Sequence, residues 1–108
     1  MKSIAVLPTI CCGSETEPLT VPERDELAAR FKALADPTRV AIINSLSAAD
    51  EVCVCNLTET FHLSQPTISH HLKVLREAGL VESSRRGTWA YYRLVPAAIA
   101  ELRGALGA

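Results

Sequence analysis

The spacing of apolar and polar residues predicts a helix over 23–35, where apolar side chains recur every three or four positions. The apolar stripe of this helix consists of Leu27, Phe31 and Leu34. Acidic residues occupy its amino end, where the helix dipole favours negative charge. A second helix is expected from Asp36 to about Leu46, because Asp36 can cap exposed amides and Pro37 fits the first helical position.

Two further helices are predicted in the middle of the chain, separated by a tight turn. Residues Asn56 to Glu59 have the spacing of a capping box, so a short helix is expected from Asn56 to about Phe61. A longer helix is expected from Ser64 to Gly79, where the glycine permits a left-handed stop. Its apolar face consists of Ile68, Leu72 and Leu75. Together they predict a helix-turn-helix, and we call the longer helix the recognition helix.

The last third of the chain predicts a hairpin followed by a helix. Residues 80–85 and 89–94 are strand-like runs joined by the basic segment 86–88, and they predict a β-hairpin, the wing. A last helix opens at Pro96. Its apolar stripe consists of Ile99, Leu102 and Leu106. This stripe has no obvious interior partner left in the chain, so we expect it to pack on a second subunit. The predicted fold is mostly α with a small β-hairpin: a winged helix-turn-helix that forms a homodimer through its first and last helices.

Length and composition bound the organisation of the chain. The 108 residues allow one domain, whose modest core a dimer interface would extend. Residues 1–22 contain three prolines and no helical or strand periodicity, which predicts a flexible N-terminal tail ahead of a winged domain at 23–108. No apolar run is long enough to span a bilayer, and no signal-peptide cleavage site follows the short apolar start. We therefore expect a cytoplasmic protein.

Charge is distributed unevenly along the chain. The formal net charge of −1 counts mildly against nucleic-acid binding when the chain is taken whole. Residues 1–60, however, hold nine acidic and five basic residues, net −4, whereas residues 61–108 hold three acidic and six basic residues, net +3. Because the basic half contains the recognition helix and the wing, the distribution is compatible with a DNA-binding face.

The outward face of the recognition helix carries short polar side chains of the kind that contact base edges in the major groove. The candidates for DNA contact are Ser64 at the start of the helix, Gln65, Thr67, Ser69 and His70 for base edges, Lys73 for a phosphate, and Arg85 and Arg86 of the wing for phosphates or the minor groove. The alternative is a face that is merely solvated; the surrounding helix-turn-helix and basic hairpin favour DNA. Trp89, Tyr91 and Tyr92 are expected to pack against the domain rather than stack on bases.

Four cysteines occur in two close pairs, Cys11 with Cys12 and Cys53 with Cys55. Residues 52–55 alternate valine and cysteine before the helix start predicted at Asn56, so we expect an extended segment with both sulfurs on one side. The positive end of the helix dipole lowers the pKa of a nearby thiol and favours the thiolate that binds soft ions. The alternative is that the cysteines are small buried hydrophobic residues.

Two thiols do not complete a soft-metal site, and Cys11 and Cys12 are the obvious complement. The tail is long enough for this pair to reach the site of its own subunit or that of the other subunit. An all-sulfur ligand set selects soft ions over Mg(II) or Mn(II). As(III) suits three thiolates, Cd(II) or Pb(II) three or four, and Zn(II) four.

Four segments of the chain carry a resemblance to a known family. They are FKALADPTR (31–39), EVCVCNL (51–57), SQPTISHHLKVLREAGL (64–80) and RGTWAYY (86–92). Through them the chain resembles the ArsR/SmtB family of repressors over about residues 24–106. The resemblance implies a homodimer that represses a resistance operon when empty and leaves its operator DNA when the effector binds.

Within that family the chain resembles the arsenic-responsive branch. Many arsenic sensors of the family carry another cysteine three residues after the Cys-Val-Cys segment, but Thr58 occupies that position here. The pair Cys11 and Cys12 resembles instead the amino-terminal cysteines of other relatives, which include As(III) sensors and Cd(II)/Pb(II) sensors. The zinc-type ligands that some members carry on the last helix are missing.

The expected function is that of an As(III)-responsive transcriptional repressor, with Sb(III) as a related effector. Its predicted ligands are Cys11, Cys12, Cys53 and Cys55, and its predicted partners are double-stranded operator DNA and a second copy of the chain. The alternatives are a Cd(II)/Pb(II)-responsive repressor, a thiol redox-sensing repressor, and a metal-buffering or interaction protein that no longer binds DNA. An enzyme is not expected, because no set of nucleophile, base and orienting residue is visible.

Overall fold

The computed structural model describes residues 18–107. Within this range the chain forms five helices and a three-stranded antiparallel sheet. The elements are α1 (Val21–Leu34), α2 (Pro37–Ser47), β1 (Val52–Cys53), α3 (Val54–Phe61), α4 (Gln65–Glu77), β2 (Val81–Arg86), β3 (Trp89–Leu94) and α5 (Pro96–Ala105). None of these helices combines the length and the apolar character needed to cross a membrane. The predicted winged helix-turn-helix is confirmed, with α3 and α4 as its two helices and one strand more than the predicted hairpin.

Side-chain caps explain where three of the helices begin. Thr20 and Glu23 form a reciprocal capping box, in which Thr20 Oγ1 accepts from the Glu23 amide at 3.3 Å and Glu23 Oε1 accepts from the Thr20 amide at 2.8 Å. For this reason α1 begins at Val21, slightly before the predicted start. Asp36 and Ser64 cap α2 and α4 as predicted, each accepting hydrogen bonds from amides of the first turn.

The start of α3 corrects the sequence prediction. The helix begins at Val54 and not at Asn56, and its N-cap is Cys53, whose Sγ accepts a hydrogen bond from the Cys55 amide at 3.4 Å. The extended segment before it is shorter than predicted, since β1 ends at Cys53. Val54 and Leu57, three positions apart on one helical face, are only 7% and 1% exposed, and their joint burial favours the earlier start.

The core lies between the helices and the sheet. Its fully buried side chains are Ile42, Leu46, Leu57, Ile68, Leu72, Leu75 and Leu80. Helix α5 contributes to the same core, because Ala98 and Leu102 are buried and α5 packs on α1 of the same chain. The expectation that the stripe of α5 has no interior partner is therefore wrong for Leu102, which shares a helical face with the small residue Ala98 one turn earlier, and for Ile99, which packs against the core. Leu106, by contrast, is 72% exposed.

Two left-handed residues end the helices of the helix-turn-helix. His62 has a φ of 56° at the end of α3, and Gly79 has a φ of 78° after α4, where the predicted stop is confirmed. A Cβ atom at Gly79 would meet the guanidinium of Arg30 at 3.3 Å. That guanidinium donates to the Ala78 carbonyl at 3.1 Å, so Arg30 ties α1 to the end of the recognition helix.

The wing is a tight hairpin within a larger sheet. Strands β2 and β3 pair from Val81 opposite Leu94 to Arg86 opposite Trp89, and Gly87 at a φ of 65° helps to close the turn. Arg86 is thus the last residue of β2, whereas the sequence prediction ended the strand at residue 85. The short strand β1 pairs with the free edge of β3, which gives the order β1-β3-β2.

Candidate nucleic-acid interface and thiol site

The recognition helix α4 has one buried face and one exposed face, as predicted. The buried face consists of Ile68, Leu72 and Leu75, each 0% exposed. The candidate contact residues Ser64, Gln65, Thr67, Ser69, His70 and Lys73 are all exposed. Ser64 Oγ accepts from the Thr67 amide at 3.3 Å and shares a hydrogen bond of 2.9 Å with Thr67 Oγ1. Because these two hydroxyls hold the start of α4, Gln65, Ser69 and His70 are the better candidates for base edges.

The wing separates its two candidate arginines, because adjacent residues of a strand point to opposite faces. Arg85 lines a cleft beside α4 and forms no ion pair with the rest of the described chain. Arg86 forms an ion pair with Glu51 at 2.5 Å, and its guanidinium lies 4.5 Å from the centre of the Tyr91 ring. Arg85 is therefore the better candidate for a phosphate contact, since Arg86 is held by the protein itself.

The cleft beside α4 is lined both by a cysteine of the predicted effector site and by residues of the predicted DNA-binding face. It has a volume of about 360 Å³, and its lining includes Cys55 from α3, Gln65 and Ser69 from α4, and Arg85 and Trp89 from the wing. Trp89, which the sequence predicts to pack against the domain, is instead 52% exposed. Its position directly after the hairpin turn, at the tip of the wing, is the feature of the sequence that could have indicated this exposure. One thiol thus opens onto the surface that carries the base-contact candidates.

The thiols of Cys53 and Cys55 are close enough to share a hydrogen bond. Cys53 is buried and Cys55 is half-buried. The hydrogen bond from the Cys55 thiol lowers the pKa of Cys53, and the backbone N–H groups of Cys55 and Asn56 act in the same direction against the effect of burial. The same thiol–thiol hydrogen bond, together with burial and the charge of Cys53, raises the pKa of Cys55. The lowering of the thiol pKa that was expected near the helix start therefore applies to Cys53 and not to Cys55.

The arrangement of this pair differs from the extended one that was predicted. Cys53 has extended backbone angles, but Cys55 belongs to the first turn of α3. Cys53 still reaches its neighbour because it is the N-cap, whose side chain folds back over the helix start. Two such sulfurs can serve as two ligands of a soft ion. Between residues 18 and 107 no group of three or more potential ligands is arranged to hold a metal ion, and Cys11 and Cys12 lie outside the described residues.

A second surface on α1 and α5 leaves apolar side chains uncovered. Leu19 is 50%, Val21 56% and Leu106 72% exposed. A cleft of about 280 Å³ lies between the two helices, and Leu27 and Ala105 contribute to its lining. Leu19 also lines this cleft, and exposed apolar residues beside a cleft between two helices are typical of a protein–protein contact.

Comparison with known proteins gives close sequence relatives. Residues 36–83 match the family described as bacterial regulatory protein, arsR family. An uncharacterized HTH-type transcriptional regulator of Methanocaldococcus jannaschii is 42% identical over 81 residues, which cover 74% of this chain and 91% of the relative. The arsenical resistance operon repressor of Escherichia coli K12 is 50% identical over 66 residues, which cover 61% of this chain and 56% of that repressor. The chain thus spans little more than half the length of that repressor.

Solved structures share the fold. The crystal structure of a possible transcriptional regulator for arsenical resistance has a TM-score of 0.68 at 39% identity and covers 73% of this chain, with 81% of its own length matched. A homodimeric winged helix-turn-helix DNA-binding domain from Mycobacterium bovis has a TM-score of 0.66 at 30% identity, with 77% of this chain and 78% of that one covered. Both are similar to the described chain in the order and packing of their elements.

Proposed function

Since the chain belongs to the ArsR family of transcriptional regulators, we propose that it is an As(III)-responsive repressor, which binds double-stranded operator DNA as a homodimer and leaves the DNA when its thiolates bind the metalloid. Members of this family are regulators and not enzymes. The arsenical resistance repressor among its relatives supports a metalloid as the effector. The single observation that carries the proposal is the cleft in which Cys55 lies beside Gln65, Ser69 and Arg85.

The proposed DNA contacts follow from the exposure of α4. In a homodimer, two such helices enter successive major grooves about 34–36 Å apart on a partly palindromic operator. Gln65, Ser69 and His70 would contact base edges, because they are exposed and their polar groups are not needed by the helix cap. Lys73 and Arg85 would contact phosphates, which position the protein without reading sequence.

The proposed dimer forms through the first and last helices. Its support is the apolar surface of Leu19, Val21 and Leu106, which the described chain leaves half or more exposed. Covering such side chains contributes about 25 cal/mol for each Å² removed from water. The homodimeric relative from Mycobacterium bovis supports the same state of assembly.

The proposed effector site combines Cys53 and Cys55 with sulfur from Cys11 and Cys12. The described pair fits a soft thiophilic ion, because the two cysteines lie side by side and the pKa of Cys53 is lowered. As(III), when bound, is held by three thiolates, and Sb(III) has the same chemistry. If Cys55 binds the same ion as Cys53, the first turn of α3 must shift, and this turn forms one wall of the cleft beside α4. Binding at the thiols and binding of DNA would therefore oppose each other.

Operator release tests this proposal. Fluorescence anisotropy of a labelled operator is followed while arsenite, antimonite, Cd(II), Pb(II), Zn(II) and peroxide are added separately, all but the last under reducing conditions. Release by arsenite is the expected result. Release by Cd(II) or Pb(II) without arsenite would indicate a four-thiolate sensor, and release by peroxide alone would indicate a redox switch. No retardation of any operator fragment would contradict repressor function altogether.

Single substitutions test the ligand set. The variants Cys11→Ser and Cys12→Ser test separately whether these residues supply the remaining sulfur. A variant that lacks a required sulfur should no longer release the operator when arsenite is added. Thr58→Ser is the matched control, because Thr58 lines the same cleft as Cys55 and carries no thiol. Because As(III) needs only three of the four proposed sulfurs, the decisive variant is the double one: a normal arsenite response of Cys11→Ser/Cys12→Ser would remove both residues from the site.

A further inference from the structure

The outer face of the sheet brings a wing arginine close to the thiol segment. Cys53 of β1 lies directly opposite Tyr91 of the central strand β3, and directly opposite residues of an antiparallel pair have their Cβ atoms only about 4.5–5.5 Å apart. The guanidinium of Arg86 covers the ring of Tyr91 at 4.5 Å. Arg86 also pairs with Glu51, which directly precedes β1.

The Glu51–Arg86 ion pair therefore connects the two outer strands across the central one. Glu51 directly precedes β1, whereas Arg86 ends β2, and these two strands do not pair with each other. The other ion pair of the wing, Glu82 with Arg93, joins residues that are already opposite each other in β2 and β3. Only the first pair ties the wing to the segment that carries Cys53.

We propose that Arg86 is a positioning residue of the wing. Its position changes when the thiol site binds its effector, and Glu51 transmits this change to it. This inference rests on the proposed function, because it assigns the route by which the thiols act on the wing. Glu51 is two residues from Cys53, and the single residue between them is held in the ladder opposite Tyr92. A displacement of Cys53 therefore moves the carboxylate, and the guanidinium follows it because the two are in direct contact.

The consequence reaches the DNA face through the neighbours of Arg86. Arg85, the adjacent residue, points into the cleft that contains Gln65 and Ser69. Trp89 lies opposite Arg86 in the hairpin and lines the same cleft. A shift of Arg86 thus changes the position of the Arg85 side chain relative to the DNA phosphates, and this effect does not require a contact between Arg86 and DNA.

Two matched variants isolate this coupling. Glu51→Gln removes the charge that holds Arg86, and Glu82→Gln removes the charge of the neighbouring wing pair without touching the thiol segment. Trp89 is the only tryptophan of the chain, so its emission reports the wing end directly in the absence of DNA. Arsenite is titrated into the full-length wild type and both variants while Trp89 emission and the number of thiols that react with a disulfide reagent are recorded. Operator affinity is then measured with and without arsenite.

The expected result is that Glu51→Gln binds arsenite with the same loss of reactive thiols, but has a smaller emission change and a weaker operator response. The ratio of operator dissociation constants with and without arsenite should fall by roughly two- to thirtyfold relative to the wild type, within the range seen for residues that modulate coupling. Glu82→Gln should keep the wild-type ratio. Because exposed ion pairs contribute little to stability, both variants should unfold at nearly the same temperature.

The experiment distinguishes failure of the proposed function from failure of the coupling through Glu51 and Arg86. If arsenite consumes no thiols in the wild type, the proposed function fails and the coupling fails with it. If thiols are consumed and the operator is released, but Glu51→Gln and Glu82→Gln respond alike, the inference is overturned while the proposed function stands. A double variant of Glu51→Gln and Arg86→Gln supplies a second check, since two residues that act as a unit give non-additive effects. Additive losses would contradict a shared route.

Discussion

Cys53 has two roles that substitution can separate. Its Sγ caps α3 by accepting the amide hydrogen of Cys55 at 3.4 Å, and it is also a proposed effector ligand. Serine keeps an acceptor at this position and is a preferred N-cap residue, whereas alanine removes the acceptor. We therefore expect Cys53→Ser and Cys53→Ala to lose the arsenite response alike but to differ in stability.

The size of the stability difference follows from the cap. Alanine in place of a capping serine costs about 1 kcal/mol. For a domain of 60–100 residues, such a loss lowers Tm by roughly 4–8 °C. Cys53 is 7% exposed, so the loss of the packed sulfur is common to both variants and cancels in the comparison. Cys53→Ala should therefore melt roughly 4–8 °C below Cys53→Ser.

Two assays check this reasoning. Circular dichroism melting compares the variants at equal protein concentration, and anisotropy measures operator affinity with and without arsenite. The wild type should lose roughly 5- to 150-fold in affinity on adding arsenite, the usual range of allosteric coupling, whereas both variants should show a ratio near one. Equal melting temperatures would refute the capping role of the side chain. Normal release of Cys53→Ser by arsenite would refute its role as a ligand.

Further predictions concern the DNA contact, the core and the response to acid. Lys73→Gln should make the dependence of log affinity on log salt concentration shallower by about 2, because each subunit of the dimer loses one phosphate contact; an unchanged slope would mean that Lys73 contacts no phosphate. Leu72→Ala removes a side chain that is 0% exposed, and urea unfolding should show a loss of about 2–5 kcal/mol. The amides of Arg39 and Thr38 donate to Asp36 and hold the pKa of its carboxyl below the ordinary value of 3.8. The stabilisation by this carboxylate is therefore complete above pH 3.8 and is lost as the pH falls through the lowered pKa. Asp36→Asn keeps a capping oxygen but should lose less stability than the wild type over that acid range in urea unfolding, and parallel curves would contradict the assignment.

Local signals in the sequence were sufficient for most helix starts and for the faces of α4. Asp36 and Ser64 cap their helices because a side-chain oxygen needs to reach only the amides of the next few residues. The burial of Leu72 and the exposure of Ser69 follow from helical periodicity once a core exists on one side. Such features depend on neighbours within one or two turns, so they can be predicted from the sequence alone.

Contacts between distant segments decided the features that sequence reasoning missed. Cys53 caps α3 at the point where β1 ends, and its pairing with Tyr91 of β3 joins two segments that are far apart in the sequence. The burial of Leu102 depends on α1 and the rest of the core, at a sequence distance that periodicity does not address. The charge of Arg86 makes it a candidate for DNA contact but does not predict its ion pair with Glu51, which forms because β1 and β2 flank the same strand. Charge and periodicity are properties of the chain, whereas the partner of a charge or of an apolar side chain is a property of the tertiary fold.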